Sequence, residues 1–198
     1  GDAVAILDMP HLLALMRDAQ FDRISHARPS YLSLLSLEPL LARAGLRVFD
    51  AESRADGGGT LGVAVCRVGA PHPERTTVAA LRIMEQAAHL DRAEGYAAFG
   101  ARAALLRDRL VDFLTSAHHG RKTVAVLGPA ARAATLLNAC GAAAGHVAYA
   151  AEDAPPRQGE TLAGTSVAVF DIEELRRRRP DFVLILSAGD RAEVMARL

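Results

Sequence analysis

This sequence predicts an α/β protein, and three observations carry the prediction. Short apolar strands alternate with helical patterns over residues 120–198, two helical stretches fill most of 76–119, and two alternating strands flank the turn RADGGG before them. Residues 120–198 are expected to form a doubly wound, Rossmann-like parallel sheet. Residues 69–119 read as a linker and helical connector, and 1–68 as a partial α/β lobe that ends in a β-hairpin.

In chain order, residues 3–8 read as a strand, and Pro10 opens a helix on which Leu12, Leu13 and Met16 share a face. FDRISHARPSYLSL follows as a polar loop carrying His26, Arg28 and Tyr31. Ser36 is the expected N-cap of a short helix that runs to Ala44 and stops at Gly45. Residues 46–52 and 60–68 alternate as strands, and the triple glycine between them reads as a flexible hairpin tip rather than a ligand cradle. Pro71 and Pro73 mark a linker. The pattern over 76–119 is helical in two pieces, broken near Gly95, with Val78, Leu81, Met84 and Ala88 lining the first and Leu105, Leu106, Leu110 and Phe113 the second. His118 and His119 close the second piece, where a cationic side chain suits the helix dipole. Neighbours on a helix point different ways, so the two are not read as a metal pair.

The stretch KTVAVLGPAARAATLLNACG, residues 122–141, organises the rest. Its apolar run is a short buried-type strand, Gly128-Pro129 break it, and Pro129 suits the first turn of a helix whose Leu136, Leu137 and Cys140 share a face before Gly141 caps it. A strand, a glycine turn and a helix in this order present backbone N–H groups and a positive dipole end, a place for an anion. The same order occurs in every parallel α/β unit, and one glycine matches neither the G-x-G-x-x-G fingerprint nor the P-loop. Plain architecture and an anion site both stay open; Arg132, one turn into the helix, favours the second.

Residues 146–150 form the next expected strand, and EDAPPRQGETLAGT a loop holding Arg157, Gln158 and Gly159. A strand at 167–170 leads to Asp171, the cap of a helix with Glu173 and Glu174 first and Arg176 to Arg179 last, the charge order a helix dipole prefers. The arginines therefore read as a solvated helix end rather than a nucleic-acid patch. Pro180 stops the helix, 182–186 is a buried strand, and Asp190 caps a last helix.

Charge is balanced at 23 basic and 23 acidic residues, which leaves no electrostatic footprint for nucleic acid or an acidic membrane. Cys66 and Cys140 sit in apolar contexts without metal or redox spacing and read as reduced packing residues in a cytoplasmic protein. No apolar run approaches the ~20 residues that span a bilayer, and the N-terminus lacks the basic flank of a signal peptide. A buried-type strand beginning almost at residue 1 suggests a start in mid-fold, either as a cut piece or as a chain that evolved so.

Five blocks, in order, resemble the sugar C-methyltransferases, which act on nucleotide-linked keto-sugars. FDRISHARPSYLSL (21–34) is similar to that family's FDTIYHEHLSYYSL, GGGTLG (57–62) to HGGSLR, LGPAARAATLLN (127–138) to YGAAAKGNTLLN, EDAPPRQG (152–159) to DRNPYKQG, and LAGTSVAV (162–169) to LPGTHIPI. The resemblance implies a methyltransferase-like lobe followed by a second α/β domain that helps hold the nucleotide diphosphate. It assigns substrate binding to Gly128, Arg132, Thr135, Asn138, Arg157 and Gln158.

The departures fall on polar positions. Where the family has the Tyr, Glu and second His of YHEH, its implied catalytic group, this chain has Ser25, Ala27 and Arg28, and arginine does not accept a proton at neutral pH. The family's His and Arg in HGGSLR are Gly57 and Gly62, and the Gly-Asn after its lysine are Ala133 and Ala134. Residues 1–68 also lack a strand, glycine-rich turn and distal acid that would bind S-adenosylmethionine. The expectation is a degenerate relative that binds a nucleotide-sugar-like ligand or acts as an auxiliary subunit. No cofactor is expected on this chain alone, S-adenosylmethionine belonging to an N-terminal lobe if one exists, and a protein partner or second copy would cover the side that lobe leaves bare. One alternative is the C-terminal portion of an active methyltransferase. Another is a repurposed enzyme using His26, the group there that titrates near neutral pH.

Overall fold

The structure is a computed structural model that describes residues 2–26, 28–153 and 160–186. It divides into two compact units. Unit 1 takes 1–19 and 29–101, and unit 2 takes 20–28 and 102–198.

Unit 1 is built on three antiparallel strands in the order β1-β3-β2: β1 is Val4–Pro10, β2 Leu46–Arg54 and β3 Thr60–Arg67. The expected hairpin is present, and β1 pairs along the other side of β3, Val4 opposite Cys66 and Pro10 opposite Thr60. Alternation sends Leu61, Val63 and Val65 of β3 to one face, where α2 (Leu34–Arg43) and α3 (Thr76–Ala87) cover them with Leu34, Leu37, Val78 and Leu81. Each of these side chains contributes about 1.5–3 kcal/mol by leaving water. β1 is an edge strand, and its Val4 and Ile6 are exposed.

Two boundaries differ from the sequence reading. Ser33, not Ser36, caps α2: its hydroxyl accepts the Ser36 N–H, and the Ser36 hydroxyl accepts the Ser33 N–H, a reciprocal box in which serine takes the place usual for Glu or Gln. The helical break lies near Gly95, as expected. α3 ends at Ala87, His89 turns left-handed (φ 54°), and α4 begins at Ala93 and continues through His119. Gly95 permits this tight entry, since a Cβ there would stand 2.3 Å from the His89 carbonyl oxygen. α1 (Leu12–Arg17) also starts two residues after Pro10, which closes β1.

Unit 2 holds the predicted parallel sheet, β4 Val124–Leu127, β5 Val147–Glu152, β6 Val169–Asp171 and β7 Phe182–Ile185, in the order β6-β5-β4-β7. Numbered within the sheet this is 3-2-1-4, the doubly wound order in which the chain reverses direction across the first strand. One face packs Val124, Val126 and Ala150 against Leu110, Leu114 and Ala117 of α4 and Leu136 and Leu137 of α5 (Ala130–Ala139). On the other face lie Ala125, Leu127, Tyr149 and Leu175 of α6 (Glu173–Arg178). The α6 arginines behave as a solvated helix end. Arg176 pairs with Glu173, and Arg177 and Arg178 with Glu174, while the Asp171 carboxylate accepts the Glu173 N–H. The expected last helix after Asp190 lies outside the described residues.

Candidate functional site

The first strand of a doubly wound sheet ends where the order reverses and a crevice opens between it and its neighbour on the other side, here β7. Here that place is Gly128, which follows β4 with φ 145°; a Cβ on it would meet the Leu186 Cβ at 2.8 Å, just past β7. Its N–H donates to the Ala151 carbonyl at 3.0 Å and the Leu186 N–H to the Leu127 carbonyl at 2.8 Å, so the backbone is held on both sides. Only glycine lets the chain pass this close.

The amino end of α5 follows, and its Ala130 N–H donates to Glu152 Oε2 at 3.0 Å. Glu152 is half-buried at the carboxyl end of β5, beside β4 in parallel register. The negative charge at this helix start is thus the chain's own. The sequence reading passed over Glu152 because it opens the loop-like run EDAPPRQG. One signal marks it: an acid roughly 20 residues past a strand-ending glycine is the ribose-binding position of such sheets.

Arg132 and Thr135, assigned by resemblance to substrate, face the chain itself. The Arg132 Nε donates to Asp22 Oδ2 at 2.7 Å, and Asp22 is 8% exposed, so this is a largely desolvated ion pair. Thr135 Oγ1 donates within reach of the Ile24 and Ala131 carbonyls, both at 3.1 Å, and Phe21 packs on the α5 core. Together they hold the 3₁₀ turn Phe21–Arg23 and Ile24 against α5. The segment that carries Ser25, His26 and Arg28 therefore starts from a clamped anchor. His26 and Arg28 are exposed, the Arg28 N–H closes a turn onto the Ser25 carbonyl, and Ala27 lies outside the described residues.

Asn138 is at the other end of α5, about 12 Å along the helix axis from Ala130 at 1.5 Å per residue. Its Nδ2 donates to the Ala134 and Ala163 carbonyls at 2.8 Å each. It borders a cavity of about 370 Å³ at the amino edge of the sheet, shared with Gly141, Gly145, Gly164 and Thr165. A Cβ on Gly164 would come within 2.5 Å of Asn138 Oδ1. The structure thus brings Gly128 together with Glu152, gives Arg132 and Thr135 to the 21–24 segment, and places Asn138 elsewhere. Arg157 and Gln158 lie outside the described residues.

Two glycines of unit 1 stand where the resembling family has charged residues. Gly57 is left-handed (φ 54°), and Gly62 lies under the guanidinium of Arg54, whose Nη1 is 2.7 Å from where a Cβ would stand. Glu52, Asp8 and Asp56 surround that guanidinium and hold it charged well above its ordinary range. Burial pushes the Cys140 thiol up, as suits a packing residue. His118 stacks on His146 at 4.0 Å and lies tilted to His119 at 6.2 Å, and no cluster of three or more metal-type ligands occurs among the described residues. No helix there is long and apolar enough to cross a membrane.

Comparison with known proteins agrees with this architecture. A family model described as the C-methyltransferase C-terminal domain matches residues 55–198. The C-methyltransferase NovU of Streptomyces niveus is 28% identical over 194 residues, covering 98% of this chain and 46% of NovU. The chain thus spans about half the length of the curated relative it matches. With most of its residues under that family model, the chain belongs to the C-methyltransferase family.

Proposed function

We propose that this chain is a ligand-holding part of the C-methyltransferase family, taking a nucleotide-linked small molecule of the nucleotide-sugar type at the carboxyl edge of its parallel sheet. One observation carries the reading: the close-approach glycine at the switch point lies beside a carboxylate that already holds the first amide of α5. Ribose hydroxyls donate hydrogen bonds and suit Glu152, whereas a phosphate on Ala130 would meet a like charge. The ligand's phosphates are directed away from that amide.

The chain does not supply the base for methyl transfer in this reading, since Arg28 stands at that place. S-adenosylmethionine does not fit the described residues of unit 1, where three antiparallel strands offer no strand, glycine turn and crossover helix. A partner or second copy beside β1 belongs to the same reading, supported by exposed Val4 and Ile6. Calorimetric titration with uridine and thymidine diphosphates, their hexose conjugates and S-adenosylmethionine tests it. Saturable binding of a nucleotide, weakened about 10- to 100-fold in Glu152→Gln, is the expected result, from the loss of one charged hydrogen bond. No binding by any of them, or binding indifferent to Glu152, would count against it.

A second reading is favoured by the alignment of nearly the whole chain with under half of NovU: the C-terminal portion of an active methyltransferase. Transfer of radiolabelled methyl by a version extended to the relative's full length, absent from the 198-residue chain, would select it.

A further inference from the structure

Unit 1 contains a constellation that the ligand reading does not use. His11, between β1 and α1, is 1% exposed, with Nδ1 2.9 Å from Ser53 Oγ on β2 and Nε2 2.8 Å from Glu85 Oε1 on α3. Glu85 is fully buried. Its Oε1 also accepts the Leu34 N–H at 2.8 Å and its Oε2 the Leu35 N–H at 2.9 Å, the first amides of α2. Both carboxylate oxygens are acceptors here, so His11 Nε2 carries the hydrogen and donates it. In the singly protonated ring Nδ1 is then the acceptor, and the Ser53 hydroxyl donates to it. The backbone fixes the ring's base: the His11 N–H donates to the Gly59 carbonyl at 3.0 Å, and Gly59 seats against Ala14, where a Cβ would stand 2.2 Å from the alanine's methyl.

A histidine buried only for packing needs partners for both nitrogens, and buried ones would serve. Of these three side chains, Ser53 alone is exposed. A hydroxyl within hydrogen-bond reach of an imidazole nitrogen, the ring itself oriented by a carboxylate, is the order of nucleophile, base and orienting group that activates serine. We propose that Ser53 is an activated nucleophile of acyl-transfer type, with His11 as its base and Glu85 as a positioning residue, taking a small acyl group from an ester or thioester. Ser53 Oγ bonds to the carbonyl carbon while its proton passes to His11 Nδ1. The adduct expels the alcohol or thiol, which leaves with that proton. Water then adds to the acyl carbon, giving a proton to Nδ1 that returns to Ser53 Oγ as the acid departs. The balance is hydrolysis, with no change of oxidation state.

Incubation of the intact chain with a fluorophosphonate probe tests this, because Ser53 Oγ displaces fluoride only if activated. Peptide mass spectrometry is expected to place one label on Ser53, lost in Ser53→Ala and slowed about 100-fold in His11→Gln, the scale of a general base. A native chain that takes no label at Ser53 overturns the proposal, as does undiminished labelling of a folded His11→Gln variant. If that variant does not fold, wild type in urea decides: equal labelling of native and unfolded chain overturns the proposal, and labelling of the native chain alone supports it.

Discussion

Gly128 and Glu152 are single residues whose neighbours give them their roles. A side chain at Gly128 has a strained φ and a fixed neighbour in Leu186. Gly128→Val is therefore expected to lower stability by about 2–4 kcal/mol in a urea titration, from left-region strain plus overpacking. Glu85 is the corresponding point in unit 1, holding two amides and His11 at once. Glu85→Ala leaves those donors unpaired and is expected to cost about 3–5 kcal/mol by the same titration. None of these partnerships is visible in the sequence: Glu85 lies 74 residues from His11 and 51 from Leu34, and no periodicity connects them. Glu152 was missed for a related reason, since its link to Ala130 exists only once β5 lies parallel to β4. Asp181 adds a pH dependence. The Thr123 N–H, the Lys122 ammonium and the Thr123 hydroxyl hold its carboxylate well below the usual range. Its contribution is present above the ordinary carboxylate pKa, ~3.9, and is lost as pH falls toward the folded value. Acid unfolding of Asp181→Asn, followed by circular dichroism, is expected to show a shallower loss of stability below about pH 4 than wild type.

Elements were more legible than their caps. β4, the Gly128 turn and α5 stand where the apolar run and the helical face placed them, and the glutamate-then-arginine order of α6 appears as ion pairs along its surface. Ser33 escaped notice because the cap signature calls for Glu or Gln three residues on, and Ser36 performs that part with a hydroxyl. The segment at 21–24 is a different case. It reads as a polar loop, but Asp22 and Ile24 attach it to α5 across 110 and 111 residues of sequence. Arg132→Met leaves Asp22 buried without its cation. Faster amide exchange is expected over residues 21–24, with the β4 and β5 amides protected as before. Equal exchange would show that the pair does not hold the segment.

The α/β class and the parallel order of residues 120–198 were legible because alternation of strand and helix is a pattern of neighbours. That unit 2 also takes up residues 20–28 was not, since nothing in a polar loop announces which core it joins. Within unit 2, the two edges of the sheet offer distinct places for a ligand: the carboxyl edge with Gly128 and Glu152, and the amino edge with Asn138 and Gly164. Nitrogen–proton correlation spectra of the labelled chain, recorded as a uridine diphosphate hexose is added, separate them directly. Seating at the carboxyl edge moves the amides of Gly128, Ala130 and Glu152 in proportion to saturation and leaves those of Asn138 and Gly164 in place. Shifts confined to Asn138 and Gly164, or no shifts at millimolar ligand, would contradict the ligand-holding role proposed for the Gly128 edge.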